Sequence, residues 1–470
     1  MAGTLEGPLK RFSRFILGVM VVGALYVLIF GPRSEPSLPP GRQGDLVLHY
    51  WEKWLGKEAE AMQQIVDDFN NTVGAKKHVY VEMMSMSDID QKTLVATAGG
   101  VPPDIAGLWD PMVVQLGSLG ALEPLEDLAK AHGITQGYYR PVFWNGCHFN
   151  GHLYALVSTP AAVALIYNTR IFHENAGKLR AAGLDPDRPP QTIDELNRYA
   201  DVLTEFVTDA QGQRRVRRAG YLPMPPDFDW YVTSMPLWFG NDEWDASARR
   251  FTLTDPAVLR AFQWLESFPR KLGKDAVSEF STSQGGFNSP QNSFIAGTLA
   301  MEMQGPWMAN YIHILRPSMD HDWAAAPFPS AVPGLKNVTY CPFDALMIPR
   351  GCRHVSEAFE FIAFVNQPDE MEKLCTLHCK NSPLTEVSWN FLHHHPNPYI
   401  GVFEDLSASP NAHVTMQCPI AQEAGAELTA IVQGVLALEL DPKPALERAQ
   451  VRLQAKYEEF ETNLNRRMRQ

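Results

Sequence analysis

Residues 153–172 read LYALVSTPAAVALIYNTRIF, and no other stretch of the chain says as much about its fold. Two short apolar runs, LYALVS and ALIYN, flank a break of small residues at 159–162, and a helix-prone segment follows from Thr169. A break of this length is too short for a crossover between parallel strands, which needs about a dozen residues. The pattern therefore predicts a strand that leaves one folded lobe and enters another.

Length and composition describe a globular protein of more than one domain. The chain has 470 residues, of which 45% are hydrophobic and 20% are charged. A chain of this length exceeds an ordinary single core, so we expect two domains. The net charge of -13 argues against nonspecific binding to nucleic acid or to an anionic lipid surface, because both attract basic patches.

The N-terminus has the pattern of an export segment. Lys10, Arg11 and Arg14 precede an uncharged apolar run. The predicted segments are a basic cytoplasmic N-terminus at 1–14, a transmembrane anchor or uncleaved signal at 15–30, and a Pro/Gly-rich tether at 31–44. The globular part is then expected at the periplasmic or extracytoplasmic face of the cytoplasmic membrane. A cleaved and secreted form is the alternative.

Strand-like and helix-like segments alternate after the tether. LVLHYW (46–51), HVYVEMM (78–84) and DIAGLW (104–109) have the composition of strands, and a helical pattern of apolar residues separates the first two. This alternation predicts an α/β layer with a mainly parallel sheet. Ligands of such sheets gather at the carboxyl ends of the strands, and here Trp51-Glu52 and Trp109-Asp110 stand at those ends.

Several motifs are informative as an ordered set. They are PPDIAGLW (102–109), FNGHLYALVSTPAAVALIYNTRIF (149–172), FIAGTLAMEMQGPW (294–307) and SEAFEFIAFVNQPDEMEKL (356–374). Their order and spacing resemble the extracellular solute-binding proteins of family 1, the maltose-binding type. The resemblance runs from about residue 45 to the C-terminus. It implies an α/β fold of the type II periplasmic-binding-protein class, with two lobes joined by a hinge.

The resemblance also implies boundaries for the lobes and the hinge. They are lobe one at 45–158 plus 345–385, lobe two at 163–340 plus 390–470, and hinge crossings near 158–162, 343–346 and 385–395.

A function follows from the same resemblance. The protein is expected to capture a sugar, either a mono- or an oligosaccharide, by closing its lobes, and to deliver it to the permease of an ABC transporter. It is expected to act as a monomer, held at the membrane by the N-terminal helix. The alternatives are a membrane-tethered sensor for a signalling partner and a binding protein for a polyamine or a phosphate ester.

The candidate ligand-binding residues follow from sugar chemistry. A sugar presents apolar C–H faces that stack on aromatic rings, and hydroxyls that need polar partners. The candidates are Trp51, Glu52, Trp54, Trp109, Asp110, Trp230, Tyr231, Trp238, Trp307, Phe343, Asp344 and Asn381. Trp307 has the strongest case, because the resemblance implies a stacking aromatic after Gly305-Pro306. The competing interpretations are burial in the core for the aromatic residues and helix capping for acids such as Asp110.

Neither a cofactor, a metal nor catalysis is predicted. Cys375 and Cys379 flank His378 but have no second pair at zinc-like spacing, so buried thiols are favoured, with disulfides left open. The run His393-His394-His395 is interpreted as a loop near the hinge. The common catalytic motifs are missing from the sequence. A glycoside hydrolase would need two carboxylates about 5–10 Å apart across one sugar, and the sequence leaves Glu52 and Asp110 open as such a pair.

Overall fold

Strands and helices alternate along the computed structural model, which describes residues 38–210, 212–223, 228–283 and 285–468. The strands are β1 (Leu46–Glu52), β2 (Val79–Ser85), β3 (Ile105–Trp109), β4 (His148–Phe149), β5 (His152–Leu153), β6 (Ala155–Pro160), β7 (Ala164–Asn168), β8 (Glu205–Thr208), β9 (Arg214–Tyr221), β10 (Trp244–Asp245), β11 (Arg250–Phe251), β12 (Leu299–Gln304), β13 (Trp323–Ala326), β14 (Thr339–Tyr340), β15 (Phe343–Met347) and β16 (Ala412–His413).

The helices fill the intervals between the strands. The α-helices are Gly56–Asn71, Val73–Lys77, Ile89–Ala98, Pro111–Ser118, Glu126–Ala131, Pro141–Gly146, Thr169–Glu174, Ala176–Ala181, Ile193–Leu203, Phe228–Trp238, Pro256–Leu272, Lys274–Thr282, Ser293–Ala296, Met308–Leu315, Val355–Val365, Pro368–Leu377, Trp389–His394, Ile400–Ser407, Ala421–Leu436 and Pro442–Met468, with short 3-10 helices at Gln136–Tyr138 and Pro317–Met319.

The predicted N-terminal segments at 1–14 and 15–30, and the first half of the tether at 31–44, lie outside the described residues. Within the part of the chain that the structure describes, no helix has the length and apolar character needed to span a bilayer.

Two five-stranded sheets organise the part of the chain from Val47 onward, which forms one compact unit. One sheet has the order β2-β1-β3-β15-β6 and the other has the order β13-β7-β12-β9-β8. We call the layer built on the first sheet lobe one and the layer built on the second sheet lobe two. The residue boundaries of the two lobes given above stay a prediction.

The stretch at 153–172 passes from one sheet to the other, as its sequence predicts. β6 ends at Pro160 in lobe one, and β7 begins at Ala164 in lobe two. The short link runs beside the segment that precedes β15. The Ala161 N–H donates to the Pro342 carbonyl at 2.8 Å, and the Val163 N–H donates to the Tyr340 carbonyl at 2.9 Å. Two crossing strands are therefore hydrogen-bonded side by side between the lobes.

The prediction of a mainly parallel sheet is wrong, because both sheets are mixed. β1 pairs with β3 in parallel, and so does β9 with β12. β15 is antiparallel to both β3 and β6, and β7 is antiparallel to both β12 and β13. β7 and β15 are the strands that adjoin the crossings between lobes, so they do not arrive by the helical crossovers that make neighbouring strands parallel. Apolar runs reveal a strand but carry no record of its direction.

Helix Ile193–Leu203 shows how sequence pattern positions an element of lobe two. Leu196, Tyr199 and Leu203 are buried at helical spacing, and the helix packs on β9. The Thr192 Oγ1 caps the helix by accepting the Glu195 N–H at 3.1 Å. The Glu195 carboxylate does not return to Thr192. It accepts the Gln191 N–H at 2.8 Å and pairs with Arg188.

Thr192→Ala is expected to lower the free energy of unfolding by about 1 kcal/mol, because an alanine cannot accept the orphan Glu195 N–H. Urea denaturation of the full chain would measure the change. Thr192→Ser keeps the hydroxyl and is expected to retain most of the stability. If the alanine variant were as stable as the wild type, the Thr192 cap would not contribute to the stability of the protein.

Candidate functional site

A cleft of about 550 Å³ is lined by strand residues of lobe one, by helix and loop residues of lobe two, and by the crossing segments between them. This volume lies within the range of about 300–1,000 Å³ that small-molecule sites occupy. Aromatic rings dominate its wall: Trp54, Trp109, Trp230, Phe287, Trp307, Tyr340 and Phe343. The ionisable side chains at the wall are Glu58, Asp110, Asp242, Glu243, Asp344 and Lys380.

The structure brings most of the predicted site residues together at this cleft. The predicted residues among its lining are Trp54, Trp109, Asp110, Trp230, Trp307, Phe343 and Asp344. The others lie elsewhere: Trp51, Glu52, Tyr231, Trp238 and Asn381. The structure thus places seven of the twelve candidates at the cleft wall and five away from it, and ligand contact by any of them stays a prediction.

Tyr231 and Trp238 belong to the core of lobe two. The Trp238 ring is stacked on Phe328 with centroids 3.6 Å apart, and the Tyr231 hydroxyl accepts that of Tyr221 at 3.2 Å. Both lie on the buried face of helix Phe228–Trp238, whereas Trp230 lies at the cleft. Helical spacing could have separated Tyr231 and Trp238 from Trp230. Tyr231 and Trp238 are seven positions apart and share a face of the helix, whereas Trp230 is adjacent to Tyr231 and does not share that face.

Glu52 and Trp51 occupy opposite faces of β1, as neighbouring residues of a strand must. The Glu52 carboxylate is fully buried and accepts the Lys53 N–H at 2.7 Å and the Tyr50 hydroxyl. Gly107 on β3 makes this possible, because a Cβ there would lie 2.1 Å from the Glu52 carboxylate. Glu52 therefore supports the site from beneath and does not line the cleft.

Asn381 is fully buried. Neither its Oδ1 nor its Nδ2 has a hydrogen-bond partner among the described residues. It is not among the residues that line the cleft wall.

A buried network of charges joins four segments of lobe one at the base of the cleft. The Asp344 carboxylate accepts the Lys380 Nζ at 2.7 Å and the Thr159 Oγ1 at 2.7 Å, and the Lys53 Nζ lies 3.2 Å from its other oxygen. Burial alone would raise the pKa of Asp344, but the two lysines outweigh it and hold that pKa below its usual range. Asp344 is thus an ionised carboxylate under the aromatic wall.

The two lysines also fix the aromatic rings. The Lys53 Nζ lies 4.7 Å from the ring centroids of both Trp54 and Trp109. The Lys380 Nζ lies 5.6 Å from the centroid of Trp307, which belongs to lobe two. These are cation–π distances. Sequence reasoning missed both lysines, although Lys53 directly follows the end of β1, where ligands were expected.

Asp110 is a buried acid of the cleft wall whose pKa is shifted by its surroundings. It stands at the N-cap of helix Pro111–Ser118, yet its side chain accepts no N–H from that helix, so the capping interpretation is wrong. Instead its Oδ2 accepts the Thr415 N–H at 3.4 Å. Burial raises the pKa of Asp110 to about 7, although the hydrogen bonds from Thr415 oppose the shift. Burial also raises the pKa of Glu58.

Asp110→Asn is expected to stabilise the ligand-free chain at neutral pH more than at pH 4. A folded-state pKa above the unfolded value favours the fold below the unfolded pKa, and this contribution is lost as the pH rises toward 7. The advantage of the variant should therefore grow between about pH 4 and 7 and then level off. Chemical denaturation across this pH range measures it.

The asparagine can still accept the Thr415 N–H, so the variant removes only the ionisation. Burial raises the pKa of Glu404 to about 7 as well, but Glu404 is present in both proteins and its effect cancels. A constant difference between variant and wild type from pH 4 to 8 would contradict the shifted pKa of Asp110.

The residues considered for metal binding do not form a metal site. Across the described ranges, no group of three or more His, Cys, Asp or Glu side chains is arranged to hold an ion. All six cysteines are free thiols, and burial lowers the pKa of His378 to about 3. The histidine run is not a loop as predicted, because His393 and His394 end the helix Trp389–His394 while His395 is buried after it.

Comparison with known proteins agrees with this arrangement. Residues 64–387 match the family described as bacterial extracellular solute-binding protein. The chain belongs to this solute-binding family. The family is not a family of enzymes, and membership indicates an extracytoplasmic location.

Relatives of this solute-binding protein are distant in sequence. It is 19% identical over 328 residues to a maltotriose-binding protein of Pyrococcus abyssi, an alignment covering 69% of this chain and only 63% of the relative. It is 21% identical over 373 residues to an uncharacterized ABC transporter extracellular-binding protein of Pyrococcus horikoshii, covering 75% and 76% of the two chains. The structure of CpMnBP1 with mannotriose bound has 23% identity and a TM-score of 0.71, covering 87% of this chain and 99% of that one. At this identity the structural likeness shows the fold.

Proposed function

We propose that this solute-binding protein captures a saccharide between its two lobes for import by an ABC transporter. The observation that carries the proposal is the aromatic wall of the cleft. Trp54 and Trp109 come from lobe one, and Trp230 and Trp307 come from lobe two. Flat rings on both sides suit the two apolar faces of a sugar ring, and the acids between them suit its hydroxyls.

The indole N–H of Trp307 also supports a saccharide ligand. Its ring lies 5.2 Å from that of Trp230, and its buried Nε1 has no hydrogen-bond partner among the described residues. A buried indole N–H ordinarily finds an acceptor. A saccharide hydroxyl or ring oxygen would supply one while the sugar stacks on the ring. The names of the relatives agree, since one binds maltotriose and another carries mannotriose.

We propose hinge closure as the mechanism of capture. Thr159 and Asp344 lie where β6 and β15 meet the crossing strands, so the charge network holds one side of the hinge rigid. A ligand that contacts tryptophans of both lobes stabilises the closed form by the difference between its affinities for the closed and open forms. The permease would recognise the closed form. An anchor at 15–30 would keep the protein close to that permease.

Binding without catalysis fits the positions of the acids. A glycoside hydrolase needs two carboxylates facing one sugar, about 5–10 Å apart. Glu52, the predicted partner of Asp110, is fully buried beneath Lys53 and is not at the cleft wall. Because the chain belongs to a family of solute-binding proteins and this pair does not face the cleft together, we propose that the cleft binds its ligand and releases it unchanged.

Thermal unfolding of the full chain against a panel of saccharides tests the proposal. A ligand at 100 times its Kd stabilises the folded state by about 2.7 kcal/mol, so a binding sugar should raise the Tm by several degrees. Polyamines and phosphate esters serve as controls of other chemical classes. Stabilisation by one of those controls, with none from any saccharide, would contradict the proposed function.

A further inference from the structure

Glu243 is a buried acid of the cleft wall that sequence reasoning did not single out. It lies in the loop between helix Phe228–Trp238 and β10, and only 4% of it is exposed. Its Oε1 is buried and has no hydrogen-bond partner among the described residues. Polar atoms buried in native proteins are nearly always hydrogen-bonded. An unpartnered carboxyl oxygen in a residue that lines the cleft therefore points to a group supplied by a ligand.

The backbone holds Glu243 in place at a cost. Its φ of 55° is in the left-handed region, which an L residue with a side chain rarely adopts. The Glu243 N–H donates to the Asn241 Oδ1 at 2.7 Å, and the Thr252 N–H donates to the Glu243 carbonyl at 2.8 Å. Directly after it, the Trp244 ring packs on Tyr457 with centroids 4.9 Å apart. Strained residues that are held this firmly cluster at functional sites.

The charges around Glu243 indicate the kind of ligand. Burial, reinforced by Asp242, raises the pKa of Glu243 well above its ordinary value. Its carboxyl group is then neutral and can both donate and accept hydrogen bonds. Of the described residues that line the cleft, Lys380 is the one lysine, and Asp344 already neutralises it at 2.7 Å. A ligand carboxylate or phosphate would therefore meet acids and no uncommitted cation.

We propose that the Glu243 carboxyl group hydrogen-bonds a hydroxyl of the bound saccharide, and that the cleft selects uncharged saccharides over acidic ones. This inference rests on the proposed function and narrows its ligand class. Glu243 gives a sugar hydroxyl both an O–H donor and an acceptor. A uronate or a sugar phosphate would have to be buried beside Glu58 and Asp110 without a compensating charge.

Titration calorimetry of the full-length protein tests the inference, with maltotriose and mannotriose as neutral probes and trigalacturonate as the acidic probe. We expect the wild type to bind at least one neutral probe at least tenfold more tightly than trigalacturonate. Glu243→Leu should weaken that neutral binding at least tenfold. Glu243→Gln keeps a donor and an acceptor at the same place, so it should stay within about threefold of the wild type.

The Tm of the ligand-free Glu243→Leu variant separates ligand contact from structural support. Because the Glu243 Oε1 makes no hydrogen bond to any described residue, removing it should leave the Tm equal or higher. Asp245→Asn is the control for Glu243→Gln, because it makes the same carboxyl-to-amide change two residues away and outside the cleft. This control variant should bind the neutral probes like the wild type.

Wild-type affinity in the Glu243→Leu variant would overturn the inference while leaving the proposed function intact. Binding of trigalacturonate as tight as that of the neutral probes would overturn it too, and this comparison needs no variant. A wild type that binds no saccharide at all, neutral or acidic, would overturn the proposed function and the inference with it.

Discussion

Asp344→Ala is expected to lower the free energy of unfolding by about 3–5 kcal/mol, because breaking a buried ion pair leaves a buried charge without its partner. The Asp344 carboxylate receives the Lys380 Nζ at 2.7 Å and lies 3.2 Å from the Lys53 Nζ. Lys53 keeps Glu52 at 3.4 Å, whereas Lys380 is left with the Thr159 hydroxyl at 2.9 Å and the ring of Trp307 at 5.6 Å, and neither of these is an anion. Equilibrium unfolding of the full chain in urea without ligand measures the loss.

The stabilisation that Asp344 contributes depends on pH. The pKa of Asp344 is held below its usual range, so its contribution is present above the unfolded pKa of about 4 and is lost as the pH falls through the folded value. The share of the gap between Asp344→Ala and the wild type that comes from ionisation of Asp344 itself should therefore be complete above about pH 5 and shrink in acid.

Asp322→Asn is the matched control for Asp344. It removes a more exposed ion pair, in which the Arg170 guanidinium lies 3.2 Å from Asp322. Pairs of this kind contribute about 0–1 kcal/mol. If Asp344→Ala cost no more than this control, the buried network would not be a structural element of the hinge.

Trp307→Ala is expected to weaken saccharide binding by about 1–3 kcal/mol, as removal of a stacking ring does at other sites. The ring lines the cleft beside Trp230, and its Nε1 has no hydrogen-bond partner within the part of the chain that the structure describes. Gly305 allows the ring to lie across the backbone, because a Cβ there would come within 2.3 Å of it. Titration calorimetry with the saccharide that gives the largest thermal shift measures the loss.

Two further variants show which property of Trp307 matters. Trp307→Phe keeps an aromatic face and loses the N–H, so an intermediate affinity is expected. Trp389→Ala removes a ring that is 65% exposed and outside the cleft, and its affinity should equal that of the wild type. If a folded Trp307→Ala variant bound the saccharide with wild-type affinity, the Trp307 ring would be a core residue and not a ligand contact.

The sequence allowed the prediction of features that depend on local pattern. The link at 159–162 joins two sheets because its apolar flanks form strands while the small residues between them cannot make a crossover helix. Trp109, Asp110 and Trp307 lie at the cleft because a strand ends or a helix begins beside each of them. These positions follow from chain order and segment type alone.

Other features depend on contacts between distant residues and could not be predicted in this way. Lys380 meets Asp344 and Thr159 only after the three segments that carry them are packed together. Strand direction in the mixed sheets likewise depends on how the chain crosses between lobes. Glu243 has no local signal, because its burial, its left-handed backbone and its unpartnered oxygen exist only in the folded loop.

The central claim is that a saccharide binds in the aromatic cleft between the lobes, and titration calorimetry of the full-length protein with maltotriose and mannotriose tests it most directly. The account predicts saturable binding of at least one of them at one site per chain. It also predicts a negative heat-capacity change from apolar burial and a clear loss of affinity in Trp307→Ala. The claim would be contradicted if neither sugar bound, no saccharide of the thermal panel bound, and a polyamine or a phosphate ester bound saturably.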